Sequence, residues 1–195
     1  PFEWTKSRRT NWFTPSSRSL GAIIKGWPAV LRDGAITLRP IRRRDQRAWF
    51  EVRGRNQEWL GRWDGTAPDP SAIPRSFAAM VREHLSAARA GRMMPFVIEY
   101  DGVFVGAIAV NNIVWGSAYF ASVGYWIDQA VAGRGIMPRA VAMVIDHCFF
   151  VVGLHRIEIS IRPENAASVR VVEKLGIPEV GYSPRYLHID GAWRD

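Results

Sequence analysis

The chain of 195 residues holds a single cysteine, Cys148. One thiol excludes an internal disulfide and fits a reducing cytoplasm. Cys148 stands on the apolar stripe of an expected helix, which makes it a packing residue and not a nucleophile. No apolar run approaches the roughly 20 residues that cross a bilayer, so no membrane segment is expected. Residues 1–30 lack the continuous apolar core and the cleavage site of a secretory leader, and a start at Pro1 suggests a processed or trimmed end. Histidine is sparse: His84, His147, His155 and His188 share no metal-ligand spacing, and no metal is expected. Internal repeats and low-complexity segments are also missing.

What is present suits one globular domain with an appendage. Hydrophobic residues make up 48%, enough for a real core. The formal net charge is +8, and half of it lies in residues 1–26, where Lys6, Arg8, Arg9, Arg18 and Lys25 face only Glu3. That stretch has no clean period and carries isolated aromatics (Trp4, Trp12, Phe13), so it reads as a basic extension to a domain spanning 27–195. Such a surface attracts polyanions, a ribosome among them, although solubility alone would explain it equally.

From Ala35 the periodicities sharpen. Ile36 and Leu38 alternate with Thr37 and Arg39, a strand ending at Pro40. Asp45 is expected to cap a helix with Ala48, Trp49 and Val52 inward. A loop through Trp63 to Thr66 and prolines 68, 70 and 74 leads to a second helix over 75–90, stopped by Gly91. Asp101-Gly102 between two apolar runs is a hairpin signal. A third consecutive strand follows over 118–127, a helix from Ile136 to Phe149, a strand over 155–161, a helix from Asn165 closed by Gly176, and a last strand over about 180–189. The order β-α-α-β-β-β-α-β-α-β predicts an α/β (α+β) fold, a mixed sheet with helices on both faces.

The stretch from Tyr125 to Phe150 organises this order. A strand ends at Ile127, Gly133-Arg134-Gly135 turns the backbone, and a helix starts with Pro138 in its first turn, where its missing N–H costs nothing. The first N–H groups of a helix are unpaired and favour anions, and glycines let a phosphate come close. An ordinary glycine-bearing turn would look the same.

This order, with the turn after the fourth strand, resembles the GNAT N-acetyltransferase superfamily over roughly Gly34 to Asp195. That superfamily carries a Gln/Arg-x-x-Gly-x-Gly/Ala turn for the acetyl-CoA pyrophosphate. Both glycine positions match at Gly133 and Gly135, whereas Ala130 stands at the leading position. Leu38-Arg39-Pro40, Asn56-Gln57-Glu58-Trp59-Leu60, Leu154 to Glu158, Arg162 to Ser168 and Glu173 to Gly176 look like the RimJ/RimL-type ribosomal-protein-alanine acetyltransferases.

The resemblance implies direct transfer of acetyl from acetyl-CoA to an amine, with no acyl-enzyme and no metal. It implies that the fourth and fifth strands splay to admit pantetheine. Trp126 and Ile127 would meet its amides, Ala132, Gly133, Arg134, Gly135, Ile136 and Met137 its pyrophosphate, and Asn165 and Ser168 its arm and sulfur. Many relatives protonate the thiolate with a Tyr seven residues after the Asn, where this chain has Val172; Ser168 is the substitute the RimJ/RimL-type block offers. Asn165 and Ser168 also suit the capping of their own helix. A base carboxylate expected at Ser160 is missing, which leaves Glu158 acting through water.

For a basic acceptor, Glu51, Glu58, Asp64 and Asp69 supply acidity near the first helix, with Trp59 and Trp63 framing the amine. The favoured acceptor is the N-terminal alanine of a ribosomal protein. The alternatives are a small amine, such as an antibiotic or polyamine, and a non-catalytic CoA-binding module on the ribosome. The resembling enzymes continue with another strand just past Asp195, so an open sheet edge is expected here and the oligomeric state stays open.

Overall fold

The computed structural model describes residues 24–69, 71 and 76–195. Most of the basic extension, Pro70 and residues 72–75 of the expected loop and helix start therefore lie outside the described residues. The first elements are β1 (Leu31–Asp33) and β2 (Ile36–Pro40), an antiparallel pair joined at Gly34. Then come α1 (Gln46–Arg55), α2 (Gln57–Leu60) and α3 (Phe77–Arg89). The meander is β3 (Met94–Tyr100), β4 (Val103–Val114) and β5 (Phe120–Ile127). It is followed by α4 (Ile136–Asp146), β6 (Arg156–Glu158) and α5 (Ala166–Lys174). A hairpin closes the chain, β7 (Leu187–Ile189) with β8 (Ala192–Arg194).

Strands β1 to β6 form one sheet in sequence order, antiparallel except for the parallel pair β5–β6. The period-2 alternation divides its side chains between two cores. Ile36, Leu38, Phe96, Ile98, Ile108 and Val123 face α4 and the turn after it, where Ala140, Val141, Val144 and Cys148 are buried. Val97 and Phe104 face the other way, onto Val52 of α1 and Phe77 and Val81 of α3. Helices thus cover both faces, as the sequence order requires. The core reaches upstream to Ile24 and Trp27, whose ring meets Phe96 edge-on at 4.9 Å. Cys148 is fully buried, and burial pushes its thiol up to about 12. No helix among the described residues is long and apolar enough to cross a membrane.

Several expectations are corrected by local chemistry. Asp45 precedes α1, but its carboxylate does not cap that helix. It accepts from the Arg42 N–H at 2.7 Å and from both terminal nitrogens of Arg39, because a buried carboxylate is better held by a guanidinium fork. Ser76 does cap α3, accepting from Ala79 N–H. The strand expected over 155–161 keeps a ladder only at Arg156–Glu158, since its partner β5 leaves it there. The last expected strand does not join the sheet. Residues 180–185 are irregular and exposed, and the ladder begins at Leu187 because Asp190-Gly191, both with positive φ, turn the chain straight into β8. Asp101-Gly102 makes the same turn between β3 and β4.

Candidate active site

The departure of β5 from β6 builds the site. The two strands pair only across Phe120–Ser122 and Arg156–Glu158. Beyond that, Val123 to Ile127 and Ile159 to Arg162 diverge and line a cavity of about 1040 Å³. The other edge of β5 stays paired with β4 down to Gly106 opposite Ile127. Its edge toward the cavity therefore carries backbone groups with no strand beside them.

At one end of the cavity lie Ala132, Gly133, Gly135, Ile136 and Met137. Gly133 and Gly135 have φ of 79° and 78°, a conformation that disfavours any side chain. A Cβ built on either would meet nothing within 4 Å, so the space above the turn is open. The N–H groups of Gly133 through Met137 find no acceptor among the described residues, the first backbone bond of α4 being Arg139 N–H to Gly135 O. Free N–H groups, open space and a helix N-terminus together fit a diphosphate. Arg134 does not line the cavity; its guanidinium turns back to the Ala130 carbonyl at 3.3 Å.

Asn165 and Ser168 both line the cavity, and Asn165 Oδ1 accepts from the Ser168 N–H at 3.1 Å as the cap of α5. Ser168 Oγ in turn lies 2.9 Å from the Tyr125 hydroxyl. Trp126 lines the cavity from the opposite face of β5, wedged edge-on against Trp49 and beneath the Arg53 guanidinium. Ile127 packs toward α4.

At the far end Trp59, Trp63 and Asp64 line the cavity, but Glu51 and Glu58 do not. Both sit on the outward side of α1 and α2, where Glu51 faces Arg55 across solvent. Asp69 is likewise exposed, its carboxylate bonded to Ser71. Glu158 is outside the cavity and paired with Arg156 at 2.6 Å. Asp64 is ion-paired with Arg53, and Glu164 with Arg162 at 3.3 Å. This end of the cavity is therefore aromatic, and its lining carboxylates are paired.

Several residues here escaped the sequence reading. Arg162 stacks on Trp63 and donates to the Arg62 carbonyl at 3.0 Å, fastening the 61–66 loop across the mouth. Thr66 and His188 join that loop to the β7–β8 hairpin. His84 lines the wall with a buried, unpartnered Nδ1, and burial holds its pKa below the usual value. Tyr125 had a signal, its place beside Val123 and Ile127 in the alternation of β5. His84 lay on the apolar face of its helix, whereas the approach of Arg162, Thr66 and His188 to the cavity is a long-range contact that no local period reveals. No group of three or more metal-ligating side chains occurs among the described residues.

The profile of the Acetyltransferase (GNAT) domain family matches residues 35–177. The chain belongs to the GNAT family. A GNAT structure described as Mycobacterium smegmatis RimJ in complex with CoA-disulfide is similar at 40% identity and a TM-score of 0.79, covering 87% of this chain and 85% of that one. The Escherichia coli (strain K12) [ribosomal protein uS5]-alanine N-acetyltransferase is 28% identical over 77% of this chain and 80% of its own length. The probable N-acetyltransferase YjcK of Bacillus subtilis (strain 168) is 38% identical over 95 residues, 49% of this chain and 52% of that protein. This GNAT chain is an acetyl-CoA-dependent N-acetyltransferase.

Proposed function

We propose that this enzyme acetylates the N-terminal α-amine of a protein, an alanine-starting ribosomal protein, in the cytoplasm. The observation that carries the acceptor class is the charge balance at the aromatic end of the cavity. Asp64 and Glu164, its lining carboxylates, are each paired with an arginine. A polyamine needs several unpaired carboxylates to replace its hydration. A peptide N-terminus brings one charge, and that charge must leave before the amine can attack. Relatives named as ribosomal-protein-alanine acetyltransferases support the same acceptor. The net charge of +8 suits an acceptor presented on a polyanionic particle.

The chemistry follows from the residues in place. An α-amine has an unperturbed pKa near 8, so a useful fraction is neutral at pH 7 and a strong base is unnecessary. The N–H groups of the 133–137 turn hold the diphosphate. The open edge of Val123 to Ile127 pairs with the pantetheine amides and orients the thioester, whose carbonyl needs donors as it becomes an oxyanion. Asn165 fixes the start of α5, and Ser168 Oγ faces the sulfur and supplies its proton. Trp59 and Trp63 hold the peptide end. Glu158, paired with Arg156 outside the cavity, takes no part.

The test is thiol release from acetyl-CoA with alanine-starting peptides set beside spermidine and aminoglycosides. Turnover of the peptides at least about tenfold above the small amines, about 1.4 kcal/mol, is expected. Preference for spermidine would overturn the acceptor assignment.

A further inference from the structure

The leaving thiolate needs a proton, and the position where many relatives place a tyrosine for that purpose is Val172 here. Ser168 is the side chain proposed to face the sulfur, yet an aliphatic hydroxyl is a poor acid by itself. Next to it stands a better one. Tyr125 lines the same cavity from β5, and its hydroxyl is 2.9 Å from Ser168 Oγ and 3.4 Å from the Ser168 carbonyl. No other hydrogen-bond partner of that hydroxyl occurs among the described residues.

We propose that Tyr125 is the proton source of the reaction, relaying its phenolic proton through Ser168 to the departing CoA sulfur. This rests on the assignment of Ser168 above. As the C–S bond breaks, the thiolate takes the proton of Ser168 Oγ, and Ser168 Oγ takes the proton of Tyr125 Oη. The tyrosinate then recovers a proton from water, balancing the one lost by the acceptor amine. The hydroxyl hydrogens rotate freely, so the contact in which Ser168 donates to Tyr125 reverses once a thiolate sits before Ser168.

Two physical features suit the role. A phenol, with an ordinary pKa near 10, lies far closer to a thiol than an alkanol does. Burial pushes the Tyr125 pKa up, partly offset by the Ser168 hydrogen bond, so the relay is loaded throughout the neutral range. The tyrosine seven residues after the helix cap in relatives and Tyr125 on the strand would thus answer one need from two sides of one slot.

Tyr125→Phe, Ser168→Ala and the double variant test this, using the amine turned over fastest in the panel above and CoA binding by calorimetry. Tyr125→Phe keeps the ring and its packing, so the fold is retained. It is expected to lower kcat by roughly 100-fold or more, with the KM for acetyl-CoA and the affinity for CoA within about twofold. The double variant should be no slower than the slower single one, as for residues acting as one unit. Wild-type kcat in Tyr125→Phe alongside a slow Ser168→Ala would overturn the relay and leave Ser168 standing. Multiplying losses, or a changed CoA affinity with kcat kept, would make Tyr125 a wall of the slot and overturn it too. Wild-type kcat in Ser168→Ala would remove both assignments.

Discussion

Gly106 and Gly135 are both required to be glycine, for different reasons, and substitution separates them. At Gly106 the limit is space: a Cβ would lie 2.4 Å from the Trp126 carbonyl oxygen, a backbone atom that cannot swing aside. Its φ is not in the left-handed region. Gly106→Ala must push β4 from β5 where the slot begins, and should cost about 1–3 kcal/mol, the range for overpacking, measured by urea unfolding. At Gly135 the limit is the dihedral alone, since a Cβ would meet nothing within 4 Å. Gly135→Ala should cost about 1 kcal/mol of stability but weaken CoA by more than tenfold in calorimetry, because its methyl would enter the space proposed for the diphosphate. Unchanged CoA affinity in Gly135→Ala would remove the turn from the binding site.

Between elements, the join of α1 to the turn after β5 is a buried polar knot. Asn56 Nδ2 donates to the Val52 carbonyl and to Asp128 Oδ1, both at 2.8 Å, and its Oδ1 accepts from the Gln129 N–H at 2.9 Å. Asp128 is paired as well with Arg55 and accepts from the Ala130 N–H. Both residues are only 2% exposed, so each bond removed leaves a buried group unsatisfied. The knot ties the helices that present Trp59 and Trp63 to the turn at 129–137. Asn56→Ala should destabilise the protein by roughly 2–4 kcal/mol and raise the KM for acetyl-CoA although Asn56 does not line the cavity. Burial raises the Asp128 pKa, but the bonds from Arg55, Asn56 and Ala130 outweigh it, and the carboxyl is held below its ordinary value. A depressed carboxylate stabilises the fold above the unfolded value, near 3.9, and that contribution is lost as pH falls through the folded value. Urea midpoints should therefore drop more steeply below about pH 4 in the wild type than in Asp128→Asn.

For the whole molecule, two histidines set the behaviour nearer neutrality. Burial lowers His84, and it lowers His147 against a weaker opposing bond to the Gly26 backbone. Each is neutral in the folded state where the unfolded chain would bind a proton. Stability is thus complete above about pH 6.5 and declines as pH falls below it. Melting temperatures from pH 7.5 to 5.5 should fall in the wild type and flatten in His84→Leu with His147→Leu. The order of the sheet and the faces of its helices were legible because Ile36, Leu38, Val123 and Ile159 obey simple periods. The glycine turn itself was legible because residues 133 and 135 take positive φ, which glycine adopts most readily. The aromatic end of the cavity was not. Glu51 and Glu58 cluster in sequence but point away from the slot, and Arg162 and His188 reach it from a loop and a hairpin strand far along the chain. The β7–β8 hairpin did carry a readable sign, Asp190-Gly191, the same dipeptide that turns β3 into β4. The central claim is acetyl transfer from CoA to a peptide α-amine, and tandem mass spectrometry tests it most directly. A peptide beginning with alanine and carrying an internal lysine is incubated with enzyme and acetyl-CoA, then fragmented. The account predicts acetyl on the alanine nitrogen alone; acetyl on the lysine side chain, or none while CoA binds, would contradict it.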